Sequence, residues 1–224
     1  MNWAAFALTL RLSLVTAAIL ALLALPVAYW IAFSKRRWKF LAQAATALPL
    51  VLPPTVLGFY VLVVFGTGSP LGRLVQSWTG HTLAFTFSGL VVGSVLYSLP
   101  FAVQPLVTSF LAIDAKLLQA SRVLGASPAS TFFRVILPLS ASGLVTALAL
   151  TFAHTFGEFG VVLMVGGDIP GITRTISIDV YDQVQAGNYA AANLTSLVLL
   201  AVCFAILSVV YGWNRRAWPR SPWA

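Results

Sequence analysis

Two ionisable side chains, His154 and Glu158, stand in an otherwise apolar stretch and are the residues most able to do chemistry. They are four positions apart, which places both on one face of a continuous helix, and Thr151 and Thr155 extend a polar stripe along it. Ionisable residues at membrane depth are costly and usually face a bundle interior or a cavity. The pattern therefore predicts a polar path or gate that includes Thr151, His154 and Glu158.

Two further interpretations of these residues stay open. His154 and Glu158 could form a structural polar contact between helices, or Glu158 could already lie among the outer lipid headgroups. About 20 residues separate Pro138 from Glu158, which is roughly 30 Å of helix. That length equals the thickness of the hydrocarbon core, so the spacing does not separate a headgroup position from a path.

The sequence contains none of the usual catalytic or metal-binding patterns. No G-x-x-x-x-G-K-[ST] loop occurs, so the chain has no ATPase site of the P-loop type. No H-E-x-x-H pattern occurs, and His81 falls in a predicted loop. The single cysteine, Cys203, lies in an apolar run and predicts neither a disulfide nor a metal cluster. We expect no catalytic residue, no metal and no cofactor in this chain.

Composition indicates an all-α integral membrane protein. Of the 224 residues, 59% are hydrophobic and only 8% are charged, whereas a soluble domain carries about 25% charged residues. The net charge of +8 could indicate a nucleic-acid partner, but the basic residues sit in short clusters beside apolar runs. That distribution is typical of membrane orientation. We therefore expect a lipid bilayer and no nucleic acid as partner, and a single domain over residues 1–224.

Five apolar stretches are long enough to cross a bilayer, since a span needs about 20 residues. They cover residues 12–33, 40–65, 82–113, 135–154 or beyond, and 190–211. Pro26 predicts a kink in the first, and Pro49, Pro53 and Pro54 predict a broken second span. The third is predicted to be one helix plus a surface segment. The intervening predictions are a loop at 66–80, a turn-rich loop at 166–171 and a short outer helix at 175–185.

The distribution of basic residues predicts the orientation. With five spans and the 35–39 cluster inside, ten of the 13 Lys and Arg residues lie inside and three lie outside. The outer three are Arg11, Arg73 and Arg174. The positive-inside rule therefore predicts an outer N-terminus and an inner C-terminus, with residues 114–134 inside.

Residues 114–134 form a charged segment that carries its own helix signals. Asp114 suits the start of a helix, and Gly125 suits the left-handed residue that ends one. Ser127 and Pro128 suit the cap and the first position of a second helix. One mostly apolar face is predicted at helical spacing, formed by Leu117, Ala120, Ser121 and Leu124. The segment is predicted to be a helix, a tight turn and a helix.

The same segment resembles the cytoplasmic coupling motif of ABC importer permeases, which reads E-A-A, three residues, G, nine residues, I, one residue, L-P. The spacing matches throughout, with Gln for Glu, Ser for the second Ala and Val for Ile. The matching positions are Gln119, Ala120, Ser121, Gly125, Leu137 and Pro138. The resemblance implies the type I ABC importer permease fold. It also implies a short helix that docks into a groove of a separate ATPase subunit, which binds the ATP.

A second resemblance follows from residues 157–160, which read GEFG, the turn at 166–171 and the T-R-T of residues 173–175. These look like the permeases for molybdate, tungstate and sulfate or thiosulfate, and most like bacterial molybdate permeases. With the coupling motif, the resemblance covers about residues 8–213. It adds Gly160 to the expected gate. It also implies an outer loop whose marked positions are Gly167, Asp168, Pro170, Gly171 and Arg174.

The resemblance implies a multi-pass subunit of the cell inner membrane that imports molybdate by alternating access. It implies a homodimer, two cytoplasmic ATPase subunits and an external oxyanion-binding protein. The predicted spans hold no Lys or Arg, so backbone N–H groups and hydroxyls would have to guide an anion. An external binding protein would then set the affinity, since a path must release what it admits.

Three alternatives stand beside molybdate import. The cargo could be sulfate, thiosulfate or another oxyanion. The chain could instead be a self-contained channel or secondary transporter that uses Glu158 or His154 as an ion or proton site. An intramembrane enzyme is the third class, and no motif supports it.

Overall fold

The structure is a computed structural model that describes residues 1–217, and this part of the chain is helical with no strand. The helices in chain order are α1 (Trp3–Phe33), α2 (Lys39–Ala47), α3 (Pro54–Phe65), α4 (Pro70–Thr79), α5 (Phe87–Leu111), α6 (Ala115–Val123), α7 (Pro128–Thr131), α8 (Leu137–Leu139), α9 (Ala141–Gly157), α10 (Gly160–Gly166), α11 (Ile176–Gln185) and α12 (Tyr189–Ala217). A 3₁₀ turn (Leu48–Leu50) follows α2, and a π-helical turn (Phe132–Ile136) joins α7 to α8.

Three helices of the described residues, α1, α5 and α12, are long and apolar enough to cross a membrane. Two bent pairs pass the same test when each is taken together. The pair Lys39–Leu50 and Pro54–Phe65 bends by 111°, and the pair Pro128–Leu139 and Ala141–Gly157 bends by 70°. The chain therefore has three candidate spans, or up to five if each bent pair is one span. The five-span topology and its orientation stay predictions.

The core lies where α1, α5 and α9 pack together. Its largest buried side chains include Leu20 of α1 and Leu106 and Phe110 of α5, and Ala147 is their small neighbour on α9. Small residues let the helices approach closely, as is usual between membrane helices. A Cβ added at Gly143 of α9 would stand only 2.3 Å from the side chain of Ser109 on α5. Helix α9 is therefore held by close packing against α1 and α5.

Helix α1 begins at Trp3, nine residues before the predicted start of the first span at residue 12. The side chain of Asn2 caps it by accepting a hydrogen bond from the Ala5 N–H at 3.2 Å. Helix α1 continues through Arg11. The side chain of Arg11 is exposed, and its guanidinium carbon lies 4.6 Å from the centre of the Phe87 ring. Arg11 therefore lies within helix α1 but just before the predicted span of residues 12–33, which contains no Lys or Arg. Arg11 is nevertheless roughly 33 Å from Phe33 along the axis, near the end of a bilayer's thickness.

The break predicted in the second apolar stretch is confirmed, because a 3₁₀ turn and Pro53 separate α2 from α3. The predicted loop at residues 66–80 was wrong, since α4 occupies most of it. Ser69 caps α4 by accepting from the Gly72 N–H at 2.8 Å, and Gly80 ends it with a φ of 79°. A Ser cap followed by Pro also begins α7, so local capping outweighs the Gly and Ser content of residues 66–80.

The remaining predicted elements lie close to their expected places. Helix α5 with a preceding turn confirms one helix plus a surface segment at 82–113, and it runs through Pro100 and Pro105. Helix α11 confirms the short helix predicted at 175–185. Helix α12 contains Arg215 and Arg216, and Arg220 lies outside the described residues.

Candidate functional site

The predicted helix signals of residues 114–134 are confirmed. The carboxylate of Asp114 accepts a hydrogen bond from the Lys116 N–H at 2.8 Å at the start of α6. Gly125 adopts a φ of 74°, a left-handed conformation that residues with a Cβ rarely adopt. The Ser127 hydroxyl accepts from the Ser130 N–H at 3.2 Å and caps α7. The segment is therefore a helix, a glycine turn and a helix, each joint made by groups within three residues of one another.

Ser121 joins the two short helices to each other. It is buried, and its hydroxyl lies 2.7 Å from the hydroxyl of Thr131 at the end of α7. Ser121 was predicted to lie on one mostly apolar face with Leu117, Ala120 and Leu124. Of these four residues Ser121 is the buried one, because its hydroxyl contacts Thr131 of α7. A hydroxyl pair of this kind lets α6 and α7 move as one body.

Helix α6 also carries an exposed apolar patch that runs on to Leu124. Its members are all exposed: Leu117, Ala120, Val123 and Leu124. Val123 and Leu124 are 87% and 85% exposed, which is costly in water unless a partner covers them. Gln119 is exposed beside the patch. Sequence reasoning missed Val123, although its position one turn from Gln119 on a short surface helix was a usable signal.

Leu137 and Pro138 lie in the short helix α8, between the π-helical turn and α9. Pro138 has no N–H to donate, which favours a break in the helix. The chain then bends by 70° before α9 begins at Ala141, and Ser140 is buried at the bend. This bend links the 114–134 segment directly to α9.

The other end of α9 leads into residues 158–175, which contain the short helix α10 and the turn that follows it. We call this stretch the 158–175 break. Helix α9 ends at Gly157, Glu158 has an extended backbone with a ψ of 138°, and α10 starts at Gly160. The prediction that His154 and Glu158 share one helix face was wrong, because the helix stops between them. Their spacing in sequence carried no information once the helix ended.

His154 is held among polar and aromatic neighbours on α5. Its Nδ1 lies 2.9 Å from the Ser98 hydroxyl, which also lies 2.9 Å from the Thr155 hydroxyl. The imidazole stacks on Phe101 with ring centres 4.0 Å apart and lies 4.9 Å from Tyr97. His154 is thus half-buried and orientated by its neighbours.

Glu158 is buried and only partly satisfied. Its Oε1 accepts a hydrogen bond from the Val161 N–H at 2.7 Å, and its main-chain carbonyl accepts from the Ser177 hydroxyl. Its Oε2 is buried without a hydrogen-bond partner among the described residues, and the hydroxyl of Thr151 is in the same state. Buried polar atoms without partners are rare and need an explanation.

Gly160 is a packing position. A Cβ at this residue would stand 2.6 Å from Cβ of Pro54 at the start of α3. Gly58 of α3 is equally close to Met164 of α10. Close contact of α3 with α10 therefore accounts for Gly160 without any side-chain role.

The loop that follows α10 is a compact turn. The Thr173 hydroxyl donates to the Gly166 carbonyl at 2.7 Å and accepts from the Ile169 N–H at 3.1 Å. Gly167 and Gly171 both have positive φ angles, 64° and 77°. Pro170 is exposed at the tip of the turn. The turn-rich loop predicted at 166–171 is confirmed.

Arg174 is committed to carboxylates of this loop. It makes a two-pronged contact with Asp168, in which Nη2 donates to Oδ2 at 2.7 Å, and it lies 3.4 Å from Asp182 of α11. The hydrogen bond from Arg174 lowers the pKa of Asp168. Burial, followed by the hydrogen bond with Asp168, raises the pKa of Asp182. Arg174 thus connects the turn to α11, and the two neighbouring carboxylates neutralise the positive charge that an anion would need.

Sequence reasoning missed the contacts that join α1 to this region. The Thr9 hydroxyl accepts from the Ile176 N–H at 2.8 Å, and the Asn2 side chain donates to Asp179 at 3.1 Å. Thr9 is buried and Ile176 opens α11. These partners are 167 and 177 positions apart in sequence, so no local pattern could have paired them.

The chain resembles known proteins over nearly its whole length. The family described as "Binding-protein-dependent transport system inner membrane component" matches residues 24–218. The chain belongs to this family. The matched residues include the 114–134 segment and the 158–175 break of this chain. Asn2 and Thr9 lie before the first matched residue. The chain is accordingly a multi-pass membrane protein of the permease type.

Three relatives in this permease family show how far the similarity extends. The chain is 48% identical over 212 residues to the molybdenum transport system permease protein ModB of Azotobacter vinelandii, covering 95% of this chain and 94% of that protein. It is 34% identical to the ModB protein of Escherichia coli K12, covering 93% and 91%. It is 30% identical to a probable sulfate transport system permease protein, cysT, of Zygnema circumcarinatum, covering 92% and 71%.

Solved structures show the fold of this family. The inward-facing MetNI methionine ABC transporter contains a chain that superposes with a TM-score of 0.74 at 18% identity, covering 98% of this chain and 97% of that one. A bacterial ABC transporter that imports the acidic polysaccharide alginate gives 0.74 at 16% identity, covering 95% and 78%. The permease fold of ABC importers is therefore established for this chain.

Among the residues described, no group of three or more His, Cys, Asp or Glu side chains could hold a metal.

Proposed function

We propose that this chain is the membrane-spanning subunit of an ATP-driven importer for molybdate. The observation that carries the proposal is the 48% identity to a molybdenum permease over almost the full length of both proteins. The GEFG and T-R-T stretches at the 158–175 break, which first indicated an oxyanion permease, support it. Sulfate is the second candidate cargo, because one similar protein is a probable sulfate permease.

The chain has no P-loop in its sequence, so a separate ATPase subunit would supply the energy. We expect two such subunits, a homodimer of this chain and an external oxyanion-binding protein, in the inner membrane. The exposed patch of Leu117, Ala120, Val123 and Leu124 is the surface we assign to the ATPase. Its free energy cost in water is offset when a groove covers it.

We assign coupling to the residues that turn movement of α6 into movement of α9. Gly125 sets the angle between α6 and α7, and the Ser121–Thr131 hydroxyl contact keeps them together. Leu137 and Pro138 then lead into the 70° bend before α9. A push on the patch would therefore tilt α9 and shift His154 and the 158–175 break at its far end. Gln119 and Ala120 lie at the surface where that push is applied.

We assign the gate to the polar groups at the far end of α9, namely His154, Glu158 and Thr151. Their support is the unpaired Oε2 of Glu158, the unpaired hydroxyl of Thr151 and the partly exposed ring of His154. A carboxylate would repel an anion, so Glu158 suits a gate better than a binding contact. Glu158→Gln keeps an acceptor for the Val161 N–H and should change uptake while leaving assembly intact. Unchanged uptake would leave Glu158 with only a structural or headgroup role.

Reconstitution tests the function directly. Vesicles should contain the chain alone, the chain with its ATPase, and both with the binding protein, and radiolabelled molybdate uptake should be followed with ATP inside or absent. Uptake is expected only in the complete, ATP-supplied system. Uptake by the chain alone would instead favour a self-contained channel or secondary transporter. Competition among molybdate, tungstate and sulfate in the complete system identifies the cargo.

Labelling tests the orientation. A cysteine at Pro170 should react with an impermeant reagent added to intact cells, and a cysteine at Leu124 should react only after the membrane is opened. The native Cys203 should be replaced by Ala in both variants. The reverse result would place the apolar patch outside and remove the surface assigned to the ATPase.

A further inference from the structure

Two adjoining hollows lie between α1 and the helix pair α6–α7. The first, the Arg122 cavity, has a volume of about 200 Å³ and is lined by Arg122 and Leu118 of α6, Thr131 of α7 and Phe33 of α1. The second, the apolar groove, has a volume of about 500 Å³. Tyr29 and Pro128 line both, so the two hollows lie next to each other. One end of this combined site is therefore basic and the other is apolar.

The apolar groove has the lining that an acyl chain requires. Beside the shared residues it is formed by Leu25, Pro26, Trp30, Ala129 and Phe132. Its lining along α1 runs from Leu25 to Trp30, and the Arg122 cavity continues to Phe33. That distance is roughly 12 Å of helix at 1.5 Å per residue. One leaflet of the hydrocarbon core is about 15 Å thick, so the two hollows together extend over most of the depth of one leaflet.

An aromatic framework holds the walls in place. The Tyr29 ring meets Phe132 edge-on with centres 5.4 Å apart and lies 5.0 Å from Phe33. Phe110 packs against both Phe33 and Phe132 from the buried side. The hollow is thus a formed feature of the fold, with Trp30 exposed at its edge, where tryptophan commonly meets lipid headgroups.

The charge at the basic end is not neutralised by the protein. Among residues 1–212, whose side chains the structure describes, the only salt bridges are those of Arg174, and none involves Arg122. Lys35, Arg36 and Arg37 follow directly after Phe33, and all three are exposed. Arg122 is thus the basic residue that lines the site, next to the apolar groove, and it can receive one negative headgroup.

We propose that the two hollows together bind one anionic phospholipid, with an acyl chain in the apolar groove and the phosphate at Arg122. The assignment to the inner leaflet rests on the proposed orientation of the 114–134 segment. The site touches both α1 and the helix pair that we assign to coupling. A bound lipid would fill the gap between them and support the position of α6.

Native mass spectrometry tests the binding. The full-length chain is released from micelles that contain equal amounts of dioleoyl phosphatidylglycerol and dioleoyl phosphatidylcholine. The wild type should retain the anionic lipid about fivefold more than the zwitterionic one, the factor expected when one basic residue faces an anionic headgroup. Equal retention of the two lipids would overturn the proposal.

Matched variants separate the two ends of the site. Arg122→Gln should remove the fivefold preference, whereas Arg134→Gln, an exposed cation that lines neither hollow, should keep it. Ala129→Trp should fill the groove and lower retention of both lipids severalfold, and Ala115→Trp, exposed and outside both hollows, should not. Circular dichroism checks that each variant is helical. Loss of preference in Arg134→Gln, or no loss in Arg122→Gln, would also overturn the site.

The ATPase is the competing occupant of the Arg122 cavity. If adding ATPase subunits displaces the lipid one for one, the cavity belongs to the protein interface and the proposal is wrong. Retention of the lipid in the complex supports it. Molybdate uptake by the same preparation distinguishes the two proposals. Lipid selectivity without uptake would sink only the proposed function, and uptake without lipid selectivity would sink only the lipid site.

Discussion

The two ends of α9 are both breaks in a helix, yet they are held together differently. In the 114–134 segment, every hydrogen bond made by a side chain joins residues at most ten positions apart, as in the Ser121–Thr131 contact. The 158–175 break packs against α3 through Gly160, which meets Pro54, and the residues on either side of it are bonded to distant helices. Just after the break, the Ile176 N–H donates to Thr9 of α1 across 167 positions, and just before it His154 contacts Ser98 of α5 across 56.

This difference indicates different mechanical roles. A segment that contains its own hydrogen bonds can move as a unit without unmaking the rest of the fold. A break that is bonded to several helices changes only when those helices rearrange. The arrangement suits a lever at one end of α9 and a gate at the other, and the four predictions below test it from the largest effect to the smallest.

The largest effect is expected from overpacking the break. Gly160→Ala adds a Cβ 2.6 Å from the rigid ring of Pro54 and should lower the free energy of unfolding by about 1–3 kcal/mol. Gly157→Ala is the matched control, because nothing lies within 4 Å of a Cβ there. Thermal unfolding of both variants in detergent measures the difference. Equal melting temperatures would show that α3 and α10 are not in firm contact.

Removing a long-range hydrogen bond should come next. Thr9→Val leaves the buried N–H of Ile176 without an acceptor, and an unsatisfied group of this kind costs about 1–3 kcal/mol. Ser13→Ala is the control, since its hydroxyl donates only to the Thr9 carbonyl of the same helix. Hydrogen exchange of α11 should rise in the first variant and stay constant in the second. A similar rise in both would mean that α11 is not held by α1.

The turn of the 114–134 segment offers the third test. Gly125→Val places a β-branched residue at a φ of 74°, which costs about 1–2 kcal/mol. Because the segment is bonded locally, insertion into the membrane should be normal while association with the ATPase is lost. Gly68→Val, at a glycine with open space and no positive φ, should leave association unchanged. Co-purification of the ATPase is the measurement, and full recovery with Gly125→Val would contradict the turn's role.

The smallest effect concerns the charges of the 158–175 break. The lowered pKa of Asp168 means that its ion pair stabilises the turn above an unfolded pKa near ~3.9 and is lost as pH falls through the lower folded value. The raised pKa of Asp182 acts in the opposite direction, because its protonated form is favoured in the folded turn. Both groups are partly exposed, so we expect less than ~1 kcal/mol.

Asp168→Asn tests this balance. Hydrogen exchange of residues 168–182, corrected for intrinsic rates, should show the loss of protection between pH 6 and pH 3 in the wild type. The variant should lack the part due to Asp168 and show slightly faster exchange at pH 6. Asp114→Asn, at the other end of α9, is the control and should leave this region unchanged. Identical pH profiles for the wild type and Asp168→Asn would remove the ion pair from the account.

Much of the 114–134 segment could be predicted because its signals act over one helical turn. Asp114, Gly125 and Ser127 each satisfy a backbone group or a backbone angle within three residues, so their types alone state their roles. Signals of the same kind at Ser69, Pro70 and Gly80 bound α4, so the sequence also contained the information for that helix.

The 158–175 break could be predicted only in part. Its glycines and Pro170 indicated a turn, and the turn is there. The exact end of α9 at Gly157 was not predicted, because the span was expected to run to residue 154 or beyond and the spacing of His154 and Glu158 was interpreted as one continuous helix. It stops where Glu158 can accept from the Val161 N–H and Gly160 can rest against Pro54, and those partners are fixed by neighbouring helices.

The sequence by itself determined the solvent, the class and the local joints of this protein. A charged fraction of 8% and five long apolar stretches required a bilayer, and capping residues placed the helix pair at 115–131. Tertiary structure alone decided which helices meet. It determined that Thr9 accepts from the Ile176 N–H, that the Ser121 hydroxyl contacts Thr131, and that α9 ends between His154 and Glu158. The reason is physical: a cap acts over a few residues of chain, whereas packing depends on faces that come together only after the whole chain has folded.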